Sequence, residues 1–288
     1  MPNLAWNIKT WTEKYDWEKE GEEWSVAWGT SDAQWFASLY PRLHHFLPSK
    51  NILEIAPGRG RWTKFLLSHA TNSFRAVDID HENIDVCSKK FTKLHKNFLA
   101  VKNDGLDLSS IADRRFDFVF SFDSLVHCDV TVLSSYIKQI LSSLLTRDGV
   151  CFLHHSNLHY SMEQFGKPLS THARDPHVDF EIVKEIVIKN GGKILCQEII
   201  SWGDPAMPDW PETVCGDALT LFTTKKSAIL PSTVPLIINK GFITTEATNI
   251  KETISNYSFQ RDKHVAIIDN TPNLVGIIKK WLGVQKFK

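Results

Sequence analysis

Residues 51–63 read NILEIAPGRGRWT, in which an apolar run leads into a turn that contains two glycines. The run over 52–55 is typical of a buried parallel strand, because nearly all of its side chains are apolar. Glu54 interrupts the run, and a buried carboxylate needs a partner such as a positioned hydroxyl or cation. Residues 61–67 are predicted to form a helix whose free N-terminal amides face the turn. The stretch therefore predicts a strand, a turn and a helix that bind a flat, polar ligand.

The spacing within this turn distinguishes between classes of ligand. Ala56, Gly58 and Gly60 leave the turn nearly without side chains, so a ligand can lie close to the backbone. Thr63 stands where the dinucleotide fingerprint G-x-G-x-x-G has its third glycine, so that fingerprint is not met. The pattern from Glu54 onward instead resembles motif I of class I S-adenosylmethionine-dependent methyltransferases, acidic-x-Gly-x-Gly-x-Gly, with alanine replacing the first glycine. A plain tight turn without a ligand is the alternative.

The segments that follow match the same family in order. A second short strand over 74–78 ends in Asp78, which can accept the ribose hydroxyls of an adenosine ligand, with Asp80 as the alternative. A third strand is predicted over 98–102, and the resemblance assigns Asp104 behind it to the adenine amino group. The cofactor that the resemblance implies is S-adenosylmethionine. Its expected contacts are Glu54, Ala56, Gly58, Gly60, Asp78, Asp104, Gly105, Ser121 and Trp28.

Alternating strand and helix patterns over 51–153 predict a parallel α/β sheet. A helix over 179–189 and two strands over 193–201 and 217–224 complete it. The resemblance implies a Rossmann-like, seven-stranded, mostly parallel sheet with helices on both faces and an antiparallel last strand. The predicted domains are an N-terminal Trp-rich helical cap (1–47), the methyltransferase domain (48–226) and a C-terminal extension (227–288).

The composition restricts the class of protein. The formal net charge is zero, which argues against nucleic acid as a partner, because phosphate binding needs a basic surplus. The five cysteines are odd in number and lack C-x-x-C spacing, so neither a zinc site nor a disulfide framework is predicted. The N-terminus does not match a signal peptide, and no apolar stretch is long enough to span a bilayer. We expect a soluble, cytoplasmic protein.

The segments at the two ends of the chain carry further expectations. Six of the ten tryptophans lie within the first 35 residues, and large rigid rings of this kind form contact surfaces. They predict either a cap packed on the sheet or a lid that brings Trp24, Trp28 and Trp35 near the ligands. The extension is predicted to contain a helix over 245–257. Its tail at 277–282 is expected to pack on the domain or on a second subunit, forming a homo-oligomer. Contact with a membrane surface is the less favoured alternative.

Polar side chains follow the predicted fourth and fifth strands, at the sheet edge where ligands of such folds bind. They are Asp123 and His127 after the fourth strand, and His154, His155 and Asn157 at the fifth. Methyl transfer is an in-line displacement, and a base assists a hydroxyl acceptor by about 10²–10⁴-fold. His127 is the first candidate for the base and His154 or His155 the second, with Asp123 beside them. A divalent metal on Asp123 is a less favoured alternative.

Four motifs together resemble a bacterial branch of class I methyltransferases that O-methylate sugars and polysaccharides: EWSVAWG, LEIAPGRGRWT, FDFVFSFDSLVH and HHSN. The resemblance covers about residues 24–224 and implies a saccharide or glycan-end hydroxyl as the acceptor. Arg174 could clamp an anionic group of that substrate. A small natural product, a glycan-linked phosphate and a non-catalytic cofactor-binding subunit are the alternatives. The expected substrate contacts are Trp24, Trp35, Asn157 and Arg174.

Overall fold

The computed structural model describes residues 2–166, 171–202, 215–231 and 233–257, and within these ranges the strands form one eight-stranded sheet. The strands are β1 (Ser49–Ile55), β2 (Ala70–Asp78), β3 (Phe98–Lys102), β4 (Phe116–Ser121), β5 (Leu145–Ser156), β6 (Gly192–Ile200), β7 (Asp217–Thr224) and β8 (Leu236–Asn239). The α-helices are α1 (Leu4–Lys9), α2 (Ser31–Gln34), α3 (Tyr40–Leu43), α4 (Thr63–Leu66), α5 (His81–Phe91), α6 (Val130–Gln139), α7 (Leu158–Phe165), α8 (Phe180–Lys189) and α9 (Thr248–Asn256). Shorter helical turns cover Thr10–Lys14, Glu22–Trp28, Trp35–Leu39, His44–Phe46, Leu67–His69, Ser109–Ile111, Leu125–His127, Ile140–Leu144 and Phe242–Ala247.

The strand order in the sheet is β3-β2-β1-β4-β5-β7-β6-β8. The first five strands in this order pair in parallel, as right-handed crossovers through helices require. β7 is antiparallel to both β5 and β6. The predicted mostly parallel α/β sheet with an antiparallel last strand is therefore confirmed. The carboxyl ends of β1, β2, β4 and β5 meet at one edge of the sheet, and the site lies there.

Apolar side chains on both faces of the sheet explain why its strands are buried. Ile52 and Phe120 point to the face that is covered by the N-terminal cap and α5, whereas Leu53 and Val119 point to the face covered by α6 and α8. All four are fully buried. Each such side chain contributes about 1.5–3 kcal/mol relative to exposure to water. The apolar cores on the two faces of the sheet thus support the edge on which the site lies.

The predicted helical cap is present, and two of its tryptophans anchor it. Trp35 stacks on Phe65 with ring centroids 5.3 Å apart and an interplanar angle of 6°. Trp28 meets Phe242 edge-on at 5.3 Å and lies 5.6 Å from Trp202. Both tryptophans are fully buried, so these rings fix the cap on the sheet by burying large apolar area.

The C-terminal extension contributes β8, an eighth strand that was not predicted and that pairs in parallel with β6. Its later part forms the turn Phe242–Ala247 and then α9, where a helix over 245–257 was predicted. Arg42 of the cap donates to both Glu198 of β6 and Glu246 of the extension at 2.7–2.8 Å. The extension is thus bound to the cap by paired charges. The predicted tail contact at 277–282 lies outside the described residues.

No helix of the described ranges is long and apolar enough to cross a membrane.

Candidate active site

The turn after β1 depends on residues that tolerate left-handed backbone. Ala56, Gly58 and Gly60 have φ values of 56°, 56° and 92°. A Cβ atom at position 58 would lie 2.8 Å from the ring of Trp17, and one at position 60 would lie 2.4 Å from Phe91. Glycine is therefore required at both positions for conformation and for space. Ala56 adopts the same left-handed backbone at a cost of about 1–2 kcal/mol.

The helix after this turn is shorter than predicted. α4 begins at Thr63, two residues later than expected, and ends after a single turn at Leu66. Arg61 and Trp62 therefore belong to the glycine turn, and both side chains line the cleft above it. The site uses these two side chains where the sequence predicted helix N-terminal amides.

The turn opens into a cleft of about 870 Å³, which includes space open to solvent. Two acids lie at the glycine turn, and this end of the cleft is called the donor end below because the methyl donor is expected there. Asp78 lines the cleft, whereas Glu54 does not. Asp78, at the end of β2, accepts the N–H groups of Gly58 and Asp80 at 3.0 and 2.9 Å. Glu54 lies beneath the turn and accepts the hydroxyl of Thr63 at 2.6 Å. Burial raises the pKa of Asp78 to about 7 and, together with the nearby Asp78 charge, that of Glu54 to about 8.

Several buried oxygen atoms at this end lack a hydrogen-bond partner, and they show whether it fits an adenosine ligand. The acceptor oxygens Oε1 of Glu54, Oδ1 of Asn83 and Oδ1 of Asn103 are buried without a hydrogen-bond partner in the described part of the chain. Leaving such a group unsatisfied costs about 1–3 kcal/mol. Asn83, Asn103 and Asp78 all line the cleft, and the ribose hydroxyls and amino group of adenosine are matching donors. The residues at this end therefore fit S-adenosylmethionine.

The structure places the residues expected at the adenine differently from one another. Gly105 lines the cleft, but Asp104 is exposed and its carboxylate accepts the N–H groups of Leu106 and Asp107 at 2.8 and 2.7 Å. Asn103 lines the cleft at this position and donates to the hydroxyl of Tyr136 at 2.8 Å. Asn103 therefore lies where Asp104 was expected.

The Trp-rich segment forms one wall of the cleft. Trp11, Trp17 and Trp24 line it, with ring centroids 5.8–6.5 Å apart. Tyr15 packs against Trp17 at 4.8 Å and against Trp24 at 5.2 Å, and its hydroxyl donates to Glu23. Trp11, Tyr15, Trp17 and Trp24 are called the aromatic wall below. Trp24 thus lies at the cleft, as the lid interpretation predicted.

Other residues expected at the ligands lie elsewhere. Trp28 and Trp35 are core residues of the cap and do not line the cleft. Ser121 is buried and its hydroxyl donates to the carbonyl of Ile55 at 3.0 Å, which ties β4 to β1. These three side chains support the site indirectly, by packing the cap on the sheet and by joining β4 to β1.

Arg61 connects the aromatic wall to the end of β4. Its guanidinium lies over the rings of Trp24 and Trp62, at 5.1 and 4.4 Å, an arrangement that favours a delocalised cation. It donates to Ser25 at 3.0 Å and to the carboxylate of Asp123 at 2.5 Å. Asp123 has a φ of 61° and lines the cleft. The turn after β4 therefore presents a paired carboxylate to the ligands.

A chain of buried charges continues behind Asp123. Nδ1 of His154 lies 3.1 Å from the backbone N–H of Asp123 and 3.2 Å from its Oδ1. Nε2 lies 3.3 Å from Asp217, which in turn accepts two hydrogen bonds from Arg174 at 2.9 and 2.7 Å. Burial lowers the pKa of His154, but the two carboxylates outweigh it, and the pKa lies above its ordinary value. Arg174, expected to bind substrate, is thus paired with Asp217.

His127 lies half-buried behind the aromatic wall, with its ring centroid 5.1 Å from that of Trp11. Its Nδ1 donates to the carbonyl oxygen of Ala173, at 3.0 Å. Burial and the positive charge of Arg174 lower the pKa of His127 to about 4. The ring is therefore neutral near pH 7, and it packs against Trp11 without lining the cleft itself.

His155 and Asn157 have structural partners on the far side of β5. The ring of His155 points to the opposite face from His154, with Nε2 2.7 Å from the hydroxyl of Thr220. Burial lowers its pKa to about 4. Asn157 donates to the carbonyl of Cys215 at 2.8 Å and accepts from the N–H of Phe180 at 3.1 Å. Strand alternation thus turns His154, and not His155, toward the cleft side.

Sequence reasoning did not assign a role to Arg61, Asn103 or Asp217. Arg61 stands beside Gly60 in the motif itself, so its position in the turn was a usable signal. Asn103 directly follows β3, so its position next to Asp104 made it an equal candidate for the contact with adenine. Asp217 begins a predicted strand, but it meets His154 only through the register in which β7 pairs with β5, and the sequence offered no signal for that register.

Across the described ranges, no group of three or more His, Cys, Asp and Glu side chains is placed to hold a metal ion. The two carboxylate oxygens of Asp123 lie instead within 2.5 Å of Arg61 and 3.2 Å of His154. The donor set expected for a divalent cation on Asp123 is therefore not assembled from these residues.

Comparison with known proteins agrees with this site. Residues 52–149 match the family model described as a methyltransferase domain. A comparison with curated protein sequences finds no significant match. Among solved structures, an S-adenosylmethionine-dependent methyltransferase from Clostridium acetobutylicum ATCC 824 is similar in fold, with 16% identity and a TM-score of 0.50. That match covers 73% of this chain and 96% of the other.

A second solved structure is the N-methyltransferase NodS from Bradyrhizobium japonicum WM9, with 17% identity and a TM-score of 0.45 over 74% of this chain and 98% of that one. The matched residues 52–149 contain the glycine turn, Asp78 and Asp123. The unpartnered acceptors at the donor end fit the cofactor that methyltransferase domains use. The chain carries a methyltransferase domain over residues 52–149, within a fold that is shared with S-adenosylmethionine-dependent methyltransferases.

Proposed function

We propose that the methyl group is transferred to a hydroxyl of a saccharide, either a free sugar or the end of a glycan. The observation that carries this proposal is the carboxylate of Asp123, which lines the cleft beside the aromatic wall and is backed by His154 at 3.2 Å. A hydroxyl attacks well only when a base takes its proton. Among the residues proposed from the sequence for this role, Asp123 is the one in the cleft lining.

The aromatic wall supports a saccharide as the acceptor. Trp11 and Trp24 offer large, rigid apolar faces on which the C–H face of a sugar ring can pack. Asn7 and Glu20 also line the cleft and can hydrogen-bond to hydroxyls. A pocket of apolar walls with few polar groups is the usual design of a specific small-molecule site.

The proposed reaction balances through the chain's own residues. The bound cofactor supplies a methyl group on a positively charged sulfur. The acceptor oxygen bonds to the methyl carbon as the carbon–sulfur bond breaks in line, and that bond's electron pair remains on sulfur. Asp123 takes the hydroxyl proton and can share it with Nδ1 of His154. This sharing requires the neutral form of His154, which is present above its raised pKa. In that form Nδ1 accepts the backbone N–H of Asp123 at 3.1 Å.

Label transfer from a methyl-labelled donor tests the proposal against the alternatives. The acceptors offered are neutral sugars and oligosaccharides, uronates, sugar phosphates, simple phenols and amines. We expect alkali-stable label on a saccharide, because a methyl ether survives alkali whereas a methyl ester of a uronate or phosphate does not. Alkali-labile label, or label only on amines, would contradict the proposal.

Two variants sharpen the same assay. Asp123→Asn is expected to lose saccharide labelling, while Asp85→Asn on the exposed face of α5 serves as the matched control. A phosphate acceptor is already anionic and needs no base, so its methylation would survive Asp123→Asn. A phenolic natural product is the second candidate, because six aromatic side chains line the cleft. Labelling of phenols alone would select it.

A further inference from the structure

The buried pair of Arg174 and Asp217 lies behind the proposed base and takes no part in the steps above. Asp217 is fully buried, and the side chain of Arg174 is 12% exposed. Two charges are costly to bury, and replacing such a pair by apolar side chains is often neutral or stabilising. The fold alone therefore does not account for the pair. Arg174 also donates to the carbonyl of His172 at 2.8 Å, and Asp217 faces Nε2 of His154 at 3.3 Å.

We infer that Asp217 and Arg174 are positioning residues of the methyl transfer, which hold the His154 ring with Nδ1 toward Asp123 and set the charge that Nε2 faces. The inference rests on the proposed function only in taking Asp123 as the base that accepts the proton of the acceptor hydroxyl. What it states about His154 can be measured without any acceptor.

Strand register fixes this arrangement. In the antiparallel ladder of β5 and β7, His154 lies opposite Leu219, and Ser156 lies opposite Asp217. His154 and Asp217 are therefore diagonal neighbours on one face of the sheet. Asp123 approaches the other ring nitrogen from the turn after β4. The ring is thus placed between two carboxylates that come from different strands.

Two aromatic rings hold the imidazole in this plane. Phe122 lies 4.6 Å from the His154 centroid, and Trp202 stacks on it at 5.4 Å with an interplanar angle of 26°. The ring is fully buried, so its charge is governed by the groups of the surrounding elements. Among the residues that the structure describes, the titratable and charged groups near it are Asp123 and His127 after β4, His155 on β5, Asp217 on β7, Arg174 before α8 and Arg61 in the glycine turn.

The two partners act on His154 in opposite directions. The carboxylate of Asp217 stabilises the imidazolium that forms when His154 takes a proton. Unopposed, the same carboxylate would keep that proton on the ring and leave Nδ1 unable to accept another. Arg174 reduces the field of Asp217 through its two hydrogen bonds. Arg174 thus holds the pKa of His154 below the value that Asp217 alone would give it.

The test is an NMR titration of His154 in the full-length protein with ¹⁵N-labelled histidine. His154→Gln identifies the signal among the twelve histidines of the chain. In Asp217→Asn we expect the pKa of His154 to fall by about 1–3 units, because a nearby carboxylate is lost. In Arg174→Met we expect it to rise, because Asp217 is left uncompensated. Asp85→Asn, which removes a distant carboxylate, should leave it unchanged.

Removing one member of a buried pair destabilises a fold, so the double variant Asp217→Asn with Arg174→Met is measured as well. In the double variant the pKa of His154 should lie below the wild-type value, because the lost carboxylate of Asp217 is nearer to the ring than the lost charge of Arg174. It should lie above the value in Asp217→Asn, where Arg174 remains unpaired. Donor affinity by calorimetry checks that each variant is folded. Should the single variants fail this check, a double-variant pKa at or above the wild-type value overturns the inference.

Shifts of the same sign in both single variants, or no shift in either, would also overturn it. Once a saccharide acceptor is known, the pH dependence of kcat/KM can be measured for each variant. The pKa on its acid side should shift among the variants in the same order as the pKa of His154 found by NMR. A merely structural role for the pair would lower the rate without shifting that pKa. If the NMR order appears and no saccharide is methylated, the proposed function fails while the positioning of His154 stands.

Discussion

The two ends of the cleft are built in different ways. The donor end comes from one continuous stretch, the glycine turn after β1, with Asp78 added from the next strand. It depends on backbone conformation and on the absence of side chains. The acceptor end is assembled from the cap, the turns after β4 and β5, and β7, and it depends on pairing between charges such as Asp123 and His154. The first should therefore be sensitive to added atoms, and the second to removed charges.

The largest effect should come from the acceptor end. Asp123→Asn removes the proposed base, and we expect kcat to fall by about 10²–10⁴-fold, while donor affinity changes little. Single-turnover rates and calorimetry of donor binding measure the two quantities separately, with circular dichroism to confirm folding because Arg61 loses its partner. A fall in donor affinity as large as the fall in rate would show that the two ends are not independent.

At the donor end, Gly60→Ala should cost about 2–4 kcal/mol of unfolding free energy, since strain at positive φ adds to overpacking against Phe91. Gly191 is the matched control, because its φ is 83° and a Cβ there would meet nothing within 4 Å. Gly191→Ala should lose only the strain, about 1–2 kcal/mol. Urea unfolding compares the two, and equal losses would show that space around Gly60 is not limiting.

Glu54→Gln should change how stability depends on pH. Burial holds the pKa of Glu54 near 8 in the folded chain, against its ordinary value of 4.5. Between these values the folded state binds more protons than the unfolded state, so this carboxyl contributes less stability as pH rises. We expect the unfolding free energy of the wild type to fall by roughly 2 kcal/mol between about pH 5.5 and pH 7.5, and that of the variant to stay constant. Urea unfolding at the two pH values measures both. Parallel pH profiles would contradict the raised pKa.

The smallest expected effect is a gain. Ala56→Gly should stabilise the free enzyme by about 1 kcal/mol or less, because relief of left-handed strain is partly offset by the greater entropy of an unfolded glycine. Thermal unfolding measures it, and donor affinity should be unchanged. A loss of stability would mean that the Cβ of Ala56 contributes packing that outweighs its strain.

The two ends also differ in how far the sequence predicted them. β3 and β7 have the predicted bounds, and the glycine turn lies where its spacing placed it, because these features are set by neighbouring residues. The sequence did not predict β8, since its four residues, three of them exposed, carry no clear pattern. It also extended the helix after the turn to Arg61. It placed Trp28 and Trp35 near the ligands, although composition cannot tell a core ring from one in a wall.

By itself, the sequence determined the parallel strands and the glycine turn, because strand periodicity and positive-φ positions are local properties. The class of cofactor followed from the resemblance of its motifs to a known family. Only the tertiary structure decided which polar side chains meet. His154 and His155 are adjacent in sequence, yet strand pairing turns one toward Asp123 and Asp217 and the other toward Thr220. Arg174 and Asp217 are 43 residues apart and are joined by two hydrogen bonds. Interactions between charges depend on distance in space, which sequence spacing does not give.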